Sequence, residues 1–92
     1  MQRYLIERDI PAIGSLEREQ IRAAAQKSND VLKDLGTGIQ WVQSFATPDK
    51  LFCVYLARDE AIVRDHARIS GFPATRIYQV KRVVDPTTPT AA

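Results

Sequence analysis

The sequence predicts an α+β domain, because its hydrophobic period changes four times along one short chain. Segments that alternate apolar and polar residues, as strands do, and segments with a helical period follow in the order β-α-β-β-α-β. This order is the ferredoxin-like plan, in which two helices cover one face of a four-stranded antiparallel sheet. A length of 92 residues fits a single domain, which we place at residues 1–84.

The first half of the chain carries one strand and one long helix. Residues 3–9 alternate, with Tyr4, Ile6 and Arg8 on one face, and residues 10–14 break the strand. Residues 15–35 have a helical period, for which Ser15 is the expected N-cap and Gly36 the expected stop. The apolar stripe of this helix comprises Leu16, Ile21, Ala24, Ala25, Ser28, Val31, Leu32 and Leu35.

The second half carries a hairpin, a helix and a last strand. Residues 39–45 and 51–57 are predicted strands joined by a turn-rich segment. A helix over 58–70 is capped by Asp59 and ended by Gly71, and residues 76–84 form the fourth strand. Residues 85–92 have no apolar period and are expected to be an extended C-terminal tail.

The length of the hairpin loop decides which side chains share a face. A five-residue loop, 46–50, places Cys53 opposite Gln43 and Tyr55 opposite Trp41, whereas a four-residue loop places Cys53 opposite Ser44. We favour the longer loop because it brings one set of residues onto a common face: Trp41, Gln43, Phe45, Leu51, Cys53 and Tyr55.

The alternate positions of the hairpin are apolar as well: Val42, Phe52, Val54 and Leu56. An antiparallel sheet with one solvated face alternates more cleanly than this. We therefore expect the second face to be covered by a second copy of the chain, in a homodimer.

Composition and charge exclude several classes of function. The 13 basic and 11 acidic residues are interspersed, so no basic block predicts a nucleic-acid or membrane partner. The strand at 50–55 resembles an RNA-binding strand only faintly, since it lacks the glycine of that motif. The longest apolar run, 51–57, is too short to span a bilayer. No secretory leader follows Met1, so we expect a cytoplasmic protein.

Two residues could carry reactive chemistry, Cys53 and His66. The single cysteine excludes an intrachain disulfide, and Cys53 is either a small buried hydrophobe or a thiolate ligand. His66 shares a helical face with Ile62 and Ile69, so it is either a buried neutral imidazole or a functional group. A thiolate with an imidazole suits nickel, copper or zinc, although Gln43, backbone groups, water or a second chain would have to complete the site.

Five short segments, taken in order, resemble a family of small bacterial proteins of unknown function: YLIERD (4–9), WVQSF (41–45), KLFCVY (50–55), HA (66–67) and GFPA (71–74). That family includes a nickel-binding member with a dimeric ferredoxin-like fold. The resemblance implies a dimeric α/β sandwich or barrel whose metal ligands are cysteine and histidine, here Cys53 and His66. Many relatives carry histidine at the place of Gln43, so the resemblance implies loss of metal binding, a weaker metal site or a pocket that takes an organic ligand.

Two functions follow from these residues. The first is a metal-binding protein that holds nickel, or another transition metal, with Cys53 and His66 of each chain. The alternative is a dimeric α/β-barrel enzyme or small-molecule-binding protein with His66 as acid or base and Glu7 or Arg8 orienting the ligand. Its pocket would be lined by Trp41, Gln43, Phe45 and Tyr55. The interpretation of Arg8 that involves no function is that it belongs to a solvated strand end.

Overall fold

A computed structural model describes residues 1–90 and confirms the predicted order of elements. The strands are β1 (Gln2–Asp9), β2 (Ile39–Ala46), β3 (Lys50–Ala57) and β4 (Arg76–Val80), and the helices are α1 (Arg18–Leu35) and α2 (Glu60–Ser70). Short 3-10 turns lie at Ile13–Ser15, Gly36–Gly38 and Thr88–Thr90. All neighbouring strands pair antiparallel, in the order β2-β3-β1-β4, so the fold is ferredoxin-like α+β.

The sheet has one covered face and one open face. On β1 and β3 the buried residues alternate, and they pack with Ile62 and Val63 of α2 and with Leu32 of α1. We call this side the helix face; its residues include Tyr4, Ile6, Arg8, Ile39, Trp41, Ser44, Ala46, Leu51, Cys53, Tyr55 and Ala57. We call the other side the open face; its residues include Leu5, Glu7, Gln43, Phe45, Lys50, Phe52, Val54, Leu56, Arg76 and Tyr78.

The pairing of β2 with β3 differs from the predicted hairpin register, because β2 contains a β-bulge. Trp41 pairs with Tyr55, as the longer loop predicts, but Ser44 pairs with Cys53, as the shorter loop predicts. The ladder shifts between Trp41 and Gln43, so the expected pairing of Cys53 with Gln43 is wrong. One extra residue in a strand changes the face of every residue beyond it. The bulge therefore turns Gln43 and Phe45 onto the open face.

The helix boundaries follow local capping chemistry. Ser15 lies in a 3-10 turn and does not cap α1; the helix begins after Glu17, whose N–H donates to Gln20 Oε1 at 3.0 Å. Asp59 caps α2 as predicted, since its Oδ1 accepts from the Ile62 N–H at 3.0 Å. Gly71 ends α2 in the left-handed conformation, at φ 78°.

The last strand is shorter than predicted because its neighbour ends. Val80 pairs with Arg3, next to the start of β1, so residues 81–84 have no strand to pair with on that edge. Val83 and Val84 are exposed in this segment. Within the predicted tail, the Asp85 carboxylate accepts from Thr87 next to the turn at Thr88–Thr90, and residues 91–92 lie outside the described part. No helix within residues 1–90 is both long and apolar enough to cross a bilayer.

Candidate functional site

A cavity of about 240 Å³ lies between the N-terminal half of α1 and the helix face of the sheet. From α1 it is lined by Ile21, Ala24, Ala25 and Ser28, and from the sheet by Trp41, Ser44, Ala46, Leu51, Cys53 and Tyr55. Ile10, Ile13 and Phe72 complete its wall. Almost the whole lining is apolar, which is the usual character of a small-molecule pocket.

Small residues on both walls create this space. The inward stripe of α1 carries Ala24, Ala25 and Ser28 where a packed helix would carry leucine or isoleucine. Opposite them the sheet presents residues as small as Ser44 and Ala46. The C-terminal half of the same stripe carries larger residues, including Val31 and Leu32, and packs against the core. The C-terminal half of α1 therefore packs tightly against the core, whereas its N-terminal half covers a cavity.

Beside the cavity lies a cluster of four polar side chains, which we call the polar cluster: Arg8, Ser28, Tyr55 and His66. Ser28 Oγ is 3.2 Å from His66 Nε2, and the rings of Tyr55 and His66 are 5.2 Å apart. Arg8 Nη2 donates to the Tyr55 hydroxyl at 3.5 Å. Because Ser28 and Tyr55 line the cavity, they connect it with Arg8 and His66.

Arg8 is 0% exposed, although arginine is almost never buried without a charged partner. Its Nη1 donates to the carbonyl of Pro73 at 2.8 Å and, more weakly, to that of Phe72 at 3.4 Å. The guanidinium carbon lies 5.7 Å from the centroid of the Phe72 ring, and Nε has no hydrogen-bond partner among the described residues. The expectation of a solvated strand end is therefore wrong for Arg8, which points into the interior.

Burial sets the protonation states in this cluster. Loss of water lowers the pKa of His66 below its ordinary value, and the nearby positive charge of Arg8 lowers it further. Burial also raises the pKa of Tyr55. The imidazole and the phenol are thus both neutral at pH 7, and His66 Nδ1 has no partner among residues 1–90.

The structure separates the predicted site residues into two groups. Trp41, Cys53 and Tyr55 line the cavity, and His66 adjoins it through Ser28 and Tyr55. The other three lie across the sheet on the open face: Glu7, Gln43 and Phe45. The predicted pocket lining of Trp41, Gln43, Phe45 and Tyr55 is thus divided between opposite sides of the sheet.

Glu7 belongs to an ion-pair network on the open face. Its Oε2 accepts from Lys50 Nζ at 2.9 Å and from Arg76 Nη1 at 3.1 Å. The hydrogen bond from Lys50 is the main reason that the pKa of Glu7 is lowered. This carboxylate cannot orient a ligand in the cavity, because it lies on the opposite side of the sheet.

Sequence reasoning missed Ser28, and it named Arg8 only as an alternative to Glu7 for orienting a ligand. A signal for Arg8 was present, since it follows Tyr4 and Ile6 on a strand face that is otherwise apolar. A charged residue at that position lies either at a solvated strand end or in the interior, and only its contacts with Phe72 and Pro73 decide between the two. Ser28 carried no signal beyond its small size.

The donors for a metal are incomplete within one chain. Residues 1–90 contain no group of three or more His, Cys, Asp or Glu side chains placed to hold an ion. Cys53 and His66 provide two donors, whereas a closed transition-metal site commonly uses four. Gln43, the third candidate, faces away from both.

Fold and cavity together define a small ferredoxin-like α+β protein with an apolar pocket under its first helix. A family model described as "Nickel responsive protein SCO4226-like" matches residues 4–80, so the chain belongs to that family. The predicted resemblance to small bacterial proteins that include a nickel-responsive member is thereby confirmed.

A solved structure supports the same fold. The crystal structure of SCO4226 from Streptomyces coelicolor A3(2) matches with a TM-score of 0.75 and 18% sequence identity. The match covers 89% of this chain and 99% of that one. None of the curated proteins compared with the chain matches it.

Proposed function

We propose that this protein binds a small, largely apolar molecule in the cavity under α1. The observation that carries the proposal is the cavity itself, about 240 Å³ with an apolar lining and one polar side. For comparison, a dry engineered cavity of about 150 Å³ binds benzene. A space of this kind, with a few polar groups to fix orientation, is the usual form of a ligand site.

Filling the cavity tests this proposal. We expect small aromatic and aliphatic compounds, both acids and neutral molecules, to raise the melting temperature and to change the fluorescence of Trp41, the only tryptophan. Ala25→Leu should abolish both effects and should stabilise the free protein by about 0.5–2 kcal/mol, as cavity-filling changes often do.

The matched control is Ala23→Leu, which adds the same side chain on the exposed side of α1 and should leave binding unchanged. If Ala25→Leu bound the compounds as well as the wild type did, the binding site would lie elsewhere. A compound set without any effect on melting would refute the proposal directly. In a catalytic form of this function, His66 is the residue we assign as acid or base, and Arg8 orients the ligand.

Nickel binding by Cys53 and His66 is the second candidate function. The family to which the chain belongs is described as nickel responsive, which supports it. Both side chains lie on the helix-covered side of the sheet, and thiolate and imidazole are suitable donors for nickel or another transition metal. Water or a second chain would complete the coordination. The buried charge of Arg8 works against a dication here, and for this reason we place the cavity ligand first.

Titration calorimetry with Ni²⁺ tests the second candidate. Micromolar binding with release of protons is expected, because the thiol must lose its proton to coordinate. Both Cys53→Ser and His66→Gln should weaken binding at least about tenfold, because even the loss of a residue that only orients a metal ligand costs that much. No heat from the wild type, or equal heat from Cys53→Ser, would remove nickel binding through these residues.

We further propose that the protein is a cytoplasmic homodimer. The open face supports the dimer, because apolar side chains including Phe45 and Tyr78 remain 53% and 46% exposed there. A single buried free cysteine supports a reducing compartment.

A further inference from the structure

The polar cluster contains a positive charge without a negative partner. Arg8 is fully buried, and its contacts are the carbonyls of Phe72 and Pro73 and the hydroxyl of Tyr55, all of them neutral. No carboxylate within residues 1–90 forms an ion pair with it. The nearest acidic residues in sequence are Glu7 and Asp9, and both are engaged by Lys50 across the sheet.

Such a charge is costly in the absence of a counter-ion. Removing a guanidinium from water is repaid only when a charged partner and further hydrogen bonds replace the solvent. Here two carbonyls replace part of the solvent, and Nε remains without a partner in the described chain. The arrangement therefore lacks one component, an anion.

We propose that the ligand of this cavity is a small organic acid, whose apolar body fills the space under α1 and whose carboxylate binds beside Arg8 and Tyr55. This inference rests on the proposed function and adds the chemical class of the ligand. Arginine is the side chain best suited to a carboxylate, since its N–H groups match the two oxygens. Arg8 does not itself line the cavity and lies directly behind Tyr55, which does, so its charge acts on an acid bound at the Tyr55 hydroxyl. The contact from Arg8 uses the Tyr55 oxygen as acceptor, so the phenolic proton is free to donate to the acid.

The size of the cavity limits the acid. A volume of about 240 Å³ exceeds the space of about 150 Å³ that takes benzene, so a single ring with a short acidic side chain fits. The lining around Ile21, Ala25 and Leu51 offers no partner for further polar groups on the body of the ligand. We therefore expect monocarboxylic acids with an unsubstituted apolar body to bind.

Comparing the binding of an acid and its amide to the wild-type protein tests whether the site recognises the negative charge of the ligand. Phenylacetate and phenylacetamide have nearly the same shape and differ in charge, and Trp41 fluorescence with calorimetry measures both affinities. We expect phenylacetate to bind about tenfold more tightly, because hydrogen bonds to charged groups exceed neutral ones in strength. Equal affinities would overturn this inference and leave the cavity function standing. If neither bound, in a set that also included neutral hydrocarbons, the cavity function itself would fail.

Variants assign the effect to Arg8. Arg8→Gln should remove the preference for the acid, and Arg8→Lys should retain part of it, because lysine keeps the charge and loses the fork. Arg64→Gln is the matched control on the exposed side of α2 and should behave as the wild type does. Should Arg8→Gln not fold, Tyr55→Phe decides the point: the affinity for phenylacetate should fall severalfold and that for phenylacetamide should change less. A preference for the acid that survived Tyr55→Phe and Arg8→Lys undiminished would refute the assignment.

Discussion

At the scale of single residues, His66 is held neutral by its surroundings. It is 0% exposed, its Nε2 lies 3.2 Å from Ser28 Oγ, and the charge of Arg8 is close enough to lower its pKa. A buried imidazole in this setting resists protonation more strongly in the folded protein than in the unfolded chain. The folded state therefore binds fewer protons than the unfolded state near pH 6.

The stability of the protein should consequently depend on pH through His66. Because the pKa of His66 is lowered on folding, its contribution is fully present above the unfolded value of about 6.5 and is lost as pH falls below it. Each unit of pKa difference corresponds to about 1.4 kcal/mol of stability lost at low pH. Urea unfolding measures this loss when it is followed from about pH 7.5 to about pH 5, a range that includes the ordinary histidine pKa of about 6.5.

The variant His66→Gln cannot titrate and should flatten the dependence in that range, whatever its absolute stability. Since the chain contains one histidine, no other imidazole can replace the effect. An unchanged slope of stability against pH in His66→Gln would show that other groups cause the dependence.

The sequence was enough to name the reactive side chains, but not to say what each of them contacts. The reactive pair of Cys53 and His66 follows from the sequence, because there is one of each. The burial of Arg8 did not follow, since the strand pattern places it on the covered face but cannot say what lies above it. The loop after α2 supplies the answer, because the carbonyls of Phe72 and Pro73 accept from the guanidinium. A long-range contact of this kind has no local signal.

At the scale of elements, the order and type of helices and strands were predictable because each carries a clear period. The exit of α2 at Gly71 and its cap at Asp59 also follow from local chemistry. The bulge in β2 did not follow. Both predicted loop lengths assume a regular ladder between β2 and β3. Because β2 contains an extra residue between Trp41 and Gln43, the pairs before the bulge have the register of the longer loop and the pairs after it have that of the shorter loop.

This one bulge changes what the candidate site contains. With a regular ladder, Gln43 and Phe45 would have joined Trp41 beside the cavity. With the bulge, Ser44 and Ala46 take those positions and leave open space, while Gln43 and Phe45 join the open face. The bulge in β2 therefore leaves space for the cavity on one side of the sheet and adds the exposed Phe45 to the other side.

At the scale of the whole molecule, the two faces of the sheet differ in what covers them. The helix face is covered by α1 and α2, and the cavity remains between α1 and the strands. The open face has no covering element among residues 1–90, although it carries a row of apolar side chains: Leu5, Phe45, Phe52, Val54, Leu56 and Tyr78. Residues 81–84 extend beyond the sheet with Val83 and Val84 exposed. A second copy related by a two-fold axis would cover the apolar row of the open face with its own.

A charge in the middle of the open face should therefore separate the proposed dimer. Val54 pairs with Leu5 on the two central strands, so Val54→Asp would place a carboxylate where the two sheets meet, and burying it there without a partner is costly. Sedimentation velocity should give the wild type twice the 10.4 kDa mass of the chain and should give Val54→Asp the mass of one chain. Ala23→Asp, on the exposed side of α1, is the control and should remain dimeric. Because the cavity lies on the other side of the sheet, a folded Val54→Asp monomer should still bind the cavity ligand. A wild type that sediments as a single chain at high concentration would contradict the dimer, and the open face would then need a different partner.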